Sequence, residues 1–254
     1  MSRGLLILGV FLQFASPMAW AIVNVENMRI GPVAQGFSSR FSLQGRGQSG
    51  NTDKLSLDLG GRMQWQQTSL YRFLVADFSY GESREVKDTS KAFIHGRWVK
   101  TYRTHRAWEA FLQGSRDEFA RLRFRGVAGG GLRFSFPDPD KRELHLGLGG
   151  FYEHETIKDS GDLQNENDQT FRVNTYVVYK EQLNRQTALN FLQYYQPNVA
   201  AIDDFRLLSQ AALVVKAAEK ISIKLALDLT HDNKPPQGVR KTDLTYSTAI
   251  VVDF

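Results

Sequence analysis

The chain has 254 residues, 42% hydrophobic and 23% charged, enough for one large domain or two small ones. Its formal net charge of +5 comes from Lys and Arg spread along the whole length, whereas a nucleic-acid binder would concentrate them in a stripe; nucleic acid is not an expected partner. The absence of cysteine excludes disulfide frameworks and thiolate metal sites.

The first 21 residues, MSRGLLILGVFLQFASPMAWA, place Arg3 before an apolar run from Leu5 to Phe14 and end on Ala19-Trp20-Ala21. That order of positive, apolar and small-x-small regions predicts a secretory signal peptide cleaved after Ala21. Residues 22–32 are expected to form a short periplasmic segment, and residues 33–254 a single domain. No later run reaches the roughly eighteen apolar residues that a spanning helix needs.

From there the chain reads as alternating apolar and polar residues, the period of a strand with two different faces. In chain order the candidate strands are Phe37–Gln48, Leu55–Trp65, Leu70–Tyr80, Ala92–Val99, Ala107–Gly114, Ala120–Phe136, Leu144–Tyr152, Phe171–Tyr179, Thr187–Tyr195, Phe205–Val215, Ile221–Leu229 and Leu244–Phe254. Leu70–Tyr80 is apolar on both parities, so its facing is left open. Between the strands, shorter connections tend to alternate with longer ones such as Gly81–Lys91, Ile157–Gln169, Gln196–Asp204 and His231–Lys241.

About twelve strands, each near the roughly ten residues that cross a bilayer at a tilt, predict an all-β fold: an antiparallel transmembrane β-barrel. A sheet in lipid must close on itself, because edge N–H and C=O groups would otherwise go without partners. Export and this architecture together point to the outer membrane of a Gram-negative cell. The expected surroundings are outer-membrane lipid and lipopolysaccharide, with periplasmic chaperones and the barrel assembly machinery acting during biogenesis. Phe254, preceded on the same parity by Val252, Ile250 and Tyr246, has the form of a terminal assembly signal.

The segment FARLRFRGVAGGGLRFSF, Phe119–Phe136, puts Arg121, Arg123, Arg125 and Arg133 on one parity and Leu122, Phe124, Leu132 and Phe134 on the other. A lipid-facing Arg costs about 2–4 kcal/mol at the bilayer midplane, so the arginines are expected to face the lumen. His145, Glu153, Glu155 and Arg172 are candidates for the same lining. Two arrangements are open: the arginines line a narrow passage that prefers anions, or Arg and Glu pair across strands and fill the interior.

Catalysis has weaker support. A rim hydrolase needs a Ser–His pair with an orienting third group. His154 with Glu155 and His231 with Asp232 are the candidate bases, and Ser83, Ser90 or Ser160 the candidate nucleophiles, but no local motif joins them. No paired His spacing suggests a metal, and no phosphate-cradling loop suggests a nucleotide, so no cofactor is expected.

The stretches GFSSRFSLQGRGQSGNTD (Gly36–Asp53), DFSYGES (Asp77–Ser83), EAFLQGSRDEFARLRFRGVAGGGLRF (Glu109–Phe134), YYQPNVAAIDDFRLLSQAALVVK (Tyr194–Lys216) and KPPQGVRKTDLTY (Lys234–Tyr246) resemble the family called domain of unknown function 481. Its members include YdiY-like, salt-induced outer-membrane proteins. The resemblance implies an outer-membrane barrel with a link to envelope or osmotic stress. It implies no catalytic residues.

Overall fold

The computed structural model describes residues 35–138, 142–158, 165–218, 221–235 and 239–252. The described chain forms twelve antiparallel strands: β1 (Gly36–Gln48), β2 (Lys54–Gln66), β3 (Leu70–Ser83), β4 (Val86–Arg103), β5 (Arg106–Asp117), β6 (Leu122–Asp138), β7 (Arg142–Lys158), β8 (Asn165–Gln182), β9 (Thr187–Pro197), β10 (Phe205–Ala218), β11 (Ile221–Asp232) and β12 (Thr242–Val252). They make one up-and-down sheet in sequence order. Among the described residues no helix is long and apolar enough to cross a membrane, and no ladder joins β12 to β1. The signal-like segment and Phe254 lie outside the described residues.

The sheet is curled into a barrel wall. Tyr176 on β8 is within hydrogen-bonding distance of side chains on β4, β5 and β6, which a flat sheet cannot achieve. Strand parity sorts the faces. Leu112, Phe124, Leu148, Phe171, Leu227 and Tyr246 are exposed on the outside, whereas Phe73, Arg125, Glu153, Arg172 and Leu208 are buried inside. Apolar outside and polar inside is the reverse of a soluble sheet, and it is favourable where the wall is bathed in hydrocarbon.

Leu70–Tyr80 obeys the same rule although both parities are apolar. Tyr71, Phe73 and Val75 point inward and pack with Phe93 and Val99 of β4. The interior is apolar there, so polarity alone could not indicate facing. A second apolar group, Tyr176, Val178, Leu192, Tyr194 and Leu208, lines β8–β10.

One end of the barrel carries the connections 49–53, 84–85, 118–121, 159–164, 198–204 and 233–241; the other carries 67–69, 104–105, 139–141, 183–186 and 219–220. We call these the loop end and the turn end. The connection expected over Gly81–Lys91 is not a long loop. β3 and β4 continue as a hairpin to a two-residue turn, with Arg84 at φ 50° and Glu85 at φ 63°. Two successive positive φ values match the twist of the strands they join. The 198–204 loop folds back over β8: Asn198 bridges Arg172, and Val199 N–H donates to the Phe171 carbonyl at 3.0 Å.

Candidate functional site: the barrel interior

Glycine makes room for the interior side chains at two places. Gly147 lies opposite Tyr176 in the β7–β8 ladder, and a Cβ there would sit 1.9 Å from the tyrosine ring. The ring therefore lies over the bare backbone of Gly147. Gly131 and Gly149 are also opposite one another, and a Cβ on Gly149 would meet the Gly130 carbonyl oxygen at 2.2 Å. The glycine runs of β6 and β7 thus permit close backbone approach and seat one large ring.

Around Tyr176 is the first buried network. Its hydroxyl donates to Glu109 Oε1 at 2.6 Å and accepts from Arg97 Nη2 and Arg133 Nη1, each at 3.1 Å. Arg97 pairs directly with Glu109, and Arg133 approaches the same carboxylate at 3.5 Å. Both guanidinium groups also lie over the ring, 5.3 and 5.7 Å from its centroid, where its negative face attracts cations. Two cations thus share one carboxylate and one phenol.

The second network lies nearer the loop end, with Glu153 as its hub. Arg125 Nε donates to Glu153 Oε2 at 2.8 Å, Arg206 Nη1 to Oε1 at 2.7 Å, and Arg172 Nε to Oε1 at 3.4 Å. Glu155 takes a second pair of contacts, from Arg125 at 3.1 Å and Arg206 at 2.9 Å. Asp232 of β11 accepts from Arg206 Nε at 2.9 Å. The folded-back loop brings in Asp204, which accepts from both Nη atoms of Arg172 at 3.1–3.2 Å. Buried charges are tolerated only when paired and hydrogen-bonded, and each of these three arginines meets at least two carboxylates.

Between the networks is a cavity of about 40 Å³, lined by groups that include His95, Gln113, Asn174 and Gln196. Phe111, Val127 and Phe151 also line it, so it is mixed in polarity and has room for only a few waters.

The rest of the wall differs. Arg40 and Gln44 of β1, Lys224 of β11 and Ser247 of β12 belong to the inward parity yet stay exposed. Beside them Arg62 pairs with Asp77 at 2.9 Å, both partly exposed. The interior is thus filled along β3–β10, together with Gln64 of β2 and Asp232 of β11, and is more polar and less covered along the rest of β1, β2, β11 and β12.

Of the lining residues expected from sequence, Arg125, Arg133, Glu153, Glu155 and Arg172 are buried in these networks. The expected row of four arginines is reduced to two. Arg121 ends the 118–121 turn at φ 59°, and Arg123 sits exposed where the β6–β7 register shifts between Leu122 and Phe124. His145 is half-buried near the turn end. Its Nδ1 lies 2.9 Å from Ser135 Oγ, and its Nε2 lies 3.9 Å from Glu143, itself paired with Lys180 at 3.3 Å. Arg97, Glu109, Tyr176, Asp204, Arg206 and Asp232 were not anticipated as lining. Strand parity was the available signal for Arg97, Glu109, Tyr176 and Arg206. The two aspartates close strands or loops, where parity has no hold.

Of the proposed assembly residues, Tyr246 and Ile250 are exposed on the outer face and the Val252 backbone pairs with Ile221. Phe254 lies outside the described residues.

Among the described residues the hydrolase constellations do not assemble. His154 is on the outward parity, while its neighbour Glu155 points inward to two arginines. His231 Nδ1 lies 2.7 Å from Thr242 Oγ1, and Asp232 is engaged by Arg206. Ser83 donates to Asp88 at 2.7 Å, Ser90 receives Arg116 at 3.3 Å, and Ser160 lies outside the described residues. Ser135 and His145 are in contact, but the nearby Glu143 carboxylate stands 3.9 Å from the imidazole, beyond hydrogen-bond reach, and is held by Lys180.

Several solved structures are similar at low identity. The NanC porin is 9% identical, with a TM-score of 0.46 over 84% of this chain and 100% of that one. The β domain of the Bordetella autotransporter BrkA is 8% identical, with a TM-score of 0.36 over 86% and 97% of the two chains. CdiB from Acinetobacter baumannii is 10% identical, with a TM-score of 0.36 over 86% and 47%. No curated protein matches significantly. The family model described as "Protein of unknown function, DUF481" matches residues 41–254, and the chain belongs to that family.

Proposed function

We propose that this protein is a narrow channel-type barrel of the Gram-negative outer membrane, not an enzyme. One observation carries the reading: the interior is filled unevenly. Ion pairs and packed aromatics buttress the β3–β10 side, while the inward faces of β1, β2, β11 and β12 are mostly polar and partly to fully exposed, Gln64 of β2 excepted. A barrel of about eight strands is filled by side chains and one of sixteen or more holds an aqueous channel, so twelve strands with a one-sided filling leave a slender hydrated path. The apolar outer wall supports a bilayer setting, and the signal-like N-terminus supports export to the outer membrane. Lipopolysaccharide, periplasmic chaperones and the barrel assembly machinery are the partners such a location supplies.

Conductance across a planar bilayer tests the reading. Refolded protein should give small, steady unitary currents, far below those of a wide porin. Current indistinguishable from bare bilayer would leave a structural barrel and remove the channel.

A further inference from the structure

The outer wall carries a trough of about 470 Å³ across β3–β7. Its floor is made by residues with little or no side chain: Gly96, Gly114, Gly126 and Ala128. These positions are neighbours in the ladders, Gly114 opposite Gly126, with Gly96 and Ala128 both opposite Leu112. Trp98, Phe124 and Ile94 lean against this floor, beside Gly96, Gly126 and Gly114 respectively. A membrane barrel whose outward side chains were all large would present an even surface to lipid. Here a strip of that surface is sunken.

The loop-end margin of the trough is polar and basic. His154, opposite Gly126 on β7, lines it directly. Arg116 stands two residues beyond Gly114 on the same outward parity; it is exposed, and one of its Nη atoms rests on Ser90 Oγ at 3.3 Å. An arginine on the outward face of a membrane wall is costly unless it reaches water or an anion at the interface. The planar guanidinium suits phosphate in particular. An apolar trough thus runs toward a margin that carries one exposed arginine and one histidine.

We propose that this trough is a binding site for one phosphorylated lipid of the outer leaflet, lipid A, with an acyl chain over the glycine floor and a phosphate held by Arg116 and His154. The proposal rests on the outer-membrane reading above. It adds a fixed lipid site, where that reading requires only a general apolar coat.

Native mass spectrometry of the refolded protein in detergent micelles tests it, with lipid A and phosphatidylglycerol as separate probes. Wild type should retain one lipid A and release phosphatidylglycerol at the same collision energy. Gly114→Leu fills the trough; its Cβ meets Ile94 Cγ2 at 3.3 Å and no backbone within 4 Å, so the wall should still form. This variant should lose the retained lipid. Arg116→Gln removes the phosphate contact at an exposed position and should lower retention of lipid A severalfold. Equal retention of lipid A by all three proteins, equal retention of the two probes, or no retention by wild type would overturn the site. Failure of the same preparation to insert into bilayers would instead overturn the membrane reading itself, so the two failures are distinguishable.

Discussion

Tyr176 on β8 gives its hydroxyl proton to Glu109 on β5, 67 residues away in sequence and 2.6 Å away in space. The same oxygen accepts from Arg97 and Arg133. One phenol therefore joins four strands across the interior. Tyr176→Phe keeps the ring and its attraction for the guanidinium groups but leaves two donors and a carboxylate short of a partner. Buried groups left unsatisfied cost about 1–3 kcal/mol. Urea denaturation in micelles should show a loss of that size, with conductance unchanged because this side of the barrel is filled.

Gly147 is the complement of that ring. Gly147→Ala puts a methyl where Tyr176 now lies, and rigid ring atoms have little room to yield. The expected result is displacement of Tyr176 and a destabilisation at least as large as that of Tyr176→Phe. The double variant Gly147→Ala/Tyr176→Ala tests the cause, since the alanine then has nothing to strike. Its stability should match that of Tyr176→Ala alone in the same denaturation assay.

Glu153 and Glu143 are both glutamates of β7, yet their environments differ completely. Glu153 is 1% exposed and serves three arginines, whereas Glu143 is half-exposed beside Lys180. Removing one partner from a buried ion network costs about 3–5 kcal/mol, because the remaining charges stay buried. A surface pair contributes about 1 kcal/mol or less. Glu153→Gln should therefore abolish or severely weaken refolding while Glu143→Gln changes little. Comparable midpoints for the two variants would contradict the hub role of Glu153.

Much of this architecture is legible in the sequence, for a physical reason. A strand between lipid and water must alternate, so β2, β6, β11 and β12 appear directly in the pattern. The pattern fails where the two faces see similar surroundings. β3 has an apolar outside and, through Tyr71, Phe73 and Val75, an apolar inside. It also fails at strand ends. The Arg84–Glu85 turn adopts positive φ without the Asn or Gly that usually marks it, so a charged run that reads as a loop is a hairpin. Arg121 and Arg123 continue the parity of Arg125 on paper, but the turn and the register shift remove them from the buried row. The interior partners are less legible still, because Tyr176–Glu109 and Arg206–Glu153 depend on how far the sheet curls, which no local window encodes.

The loop end offers a pH test outside the membrane. Asp203 in the 198–204 loop pairs with Lys234 in the 233–241 loop at 2.9 Å, and the hydrogen bond from Lys234 holds its carboxyl below the ordinary aspartate range. A carboxylate with a lowered native pKa contributes stability above its unfolded pKa and loses it as pH falls through the native value. The clasp between the two loops should therefore persist at neutral pH and open only in acid below the usual aspartate midpoint. Carboxyl ¹³C titration of Asp203 should show a depressed midpoint that returns to the ordinary value in Lys234→Gln. Both residues are exposed, so global stability should hardly change.

The open sector should set ion selectivity. Arg40 and Lys224 are exposed on the inward parity of β1 and β11, whereas Arg125 and Arg206 are buried in ion pairs. A passing ion senses fixed charge that faces water, and much less a charge already matched by a carboxylate. Arg40→Gln/Lys224→Gln should shift the reversal potential in a salt gradient toward cation preference and leave the unfolding midpoint within experimental scatter. Arg125→Gln should do the reverse, lowering stability without moving the reversal potential. If Arg125→Gln alone shifts the reversal potential, the ion path runs through the Glu153 network, and the buttress is a gate instead of a filling.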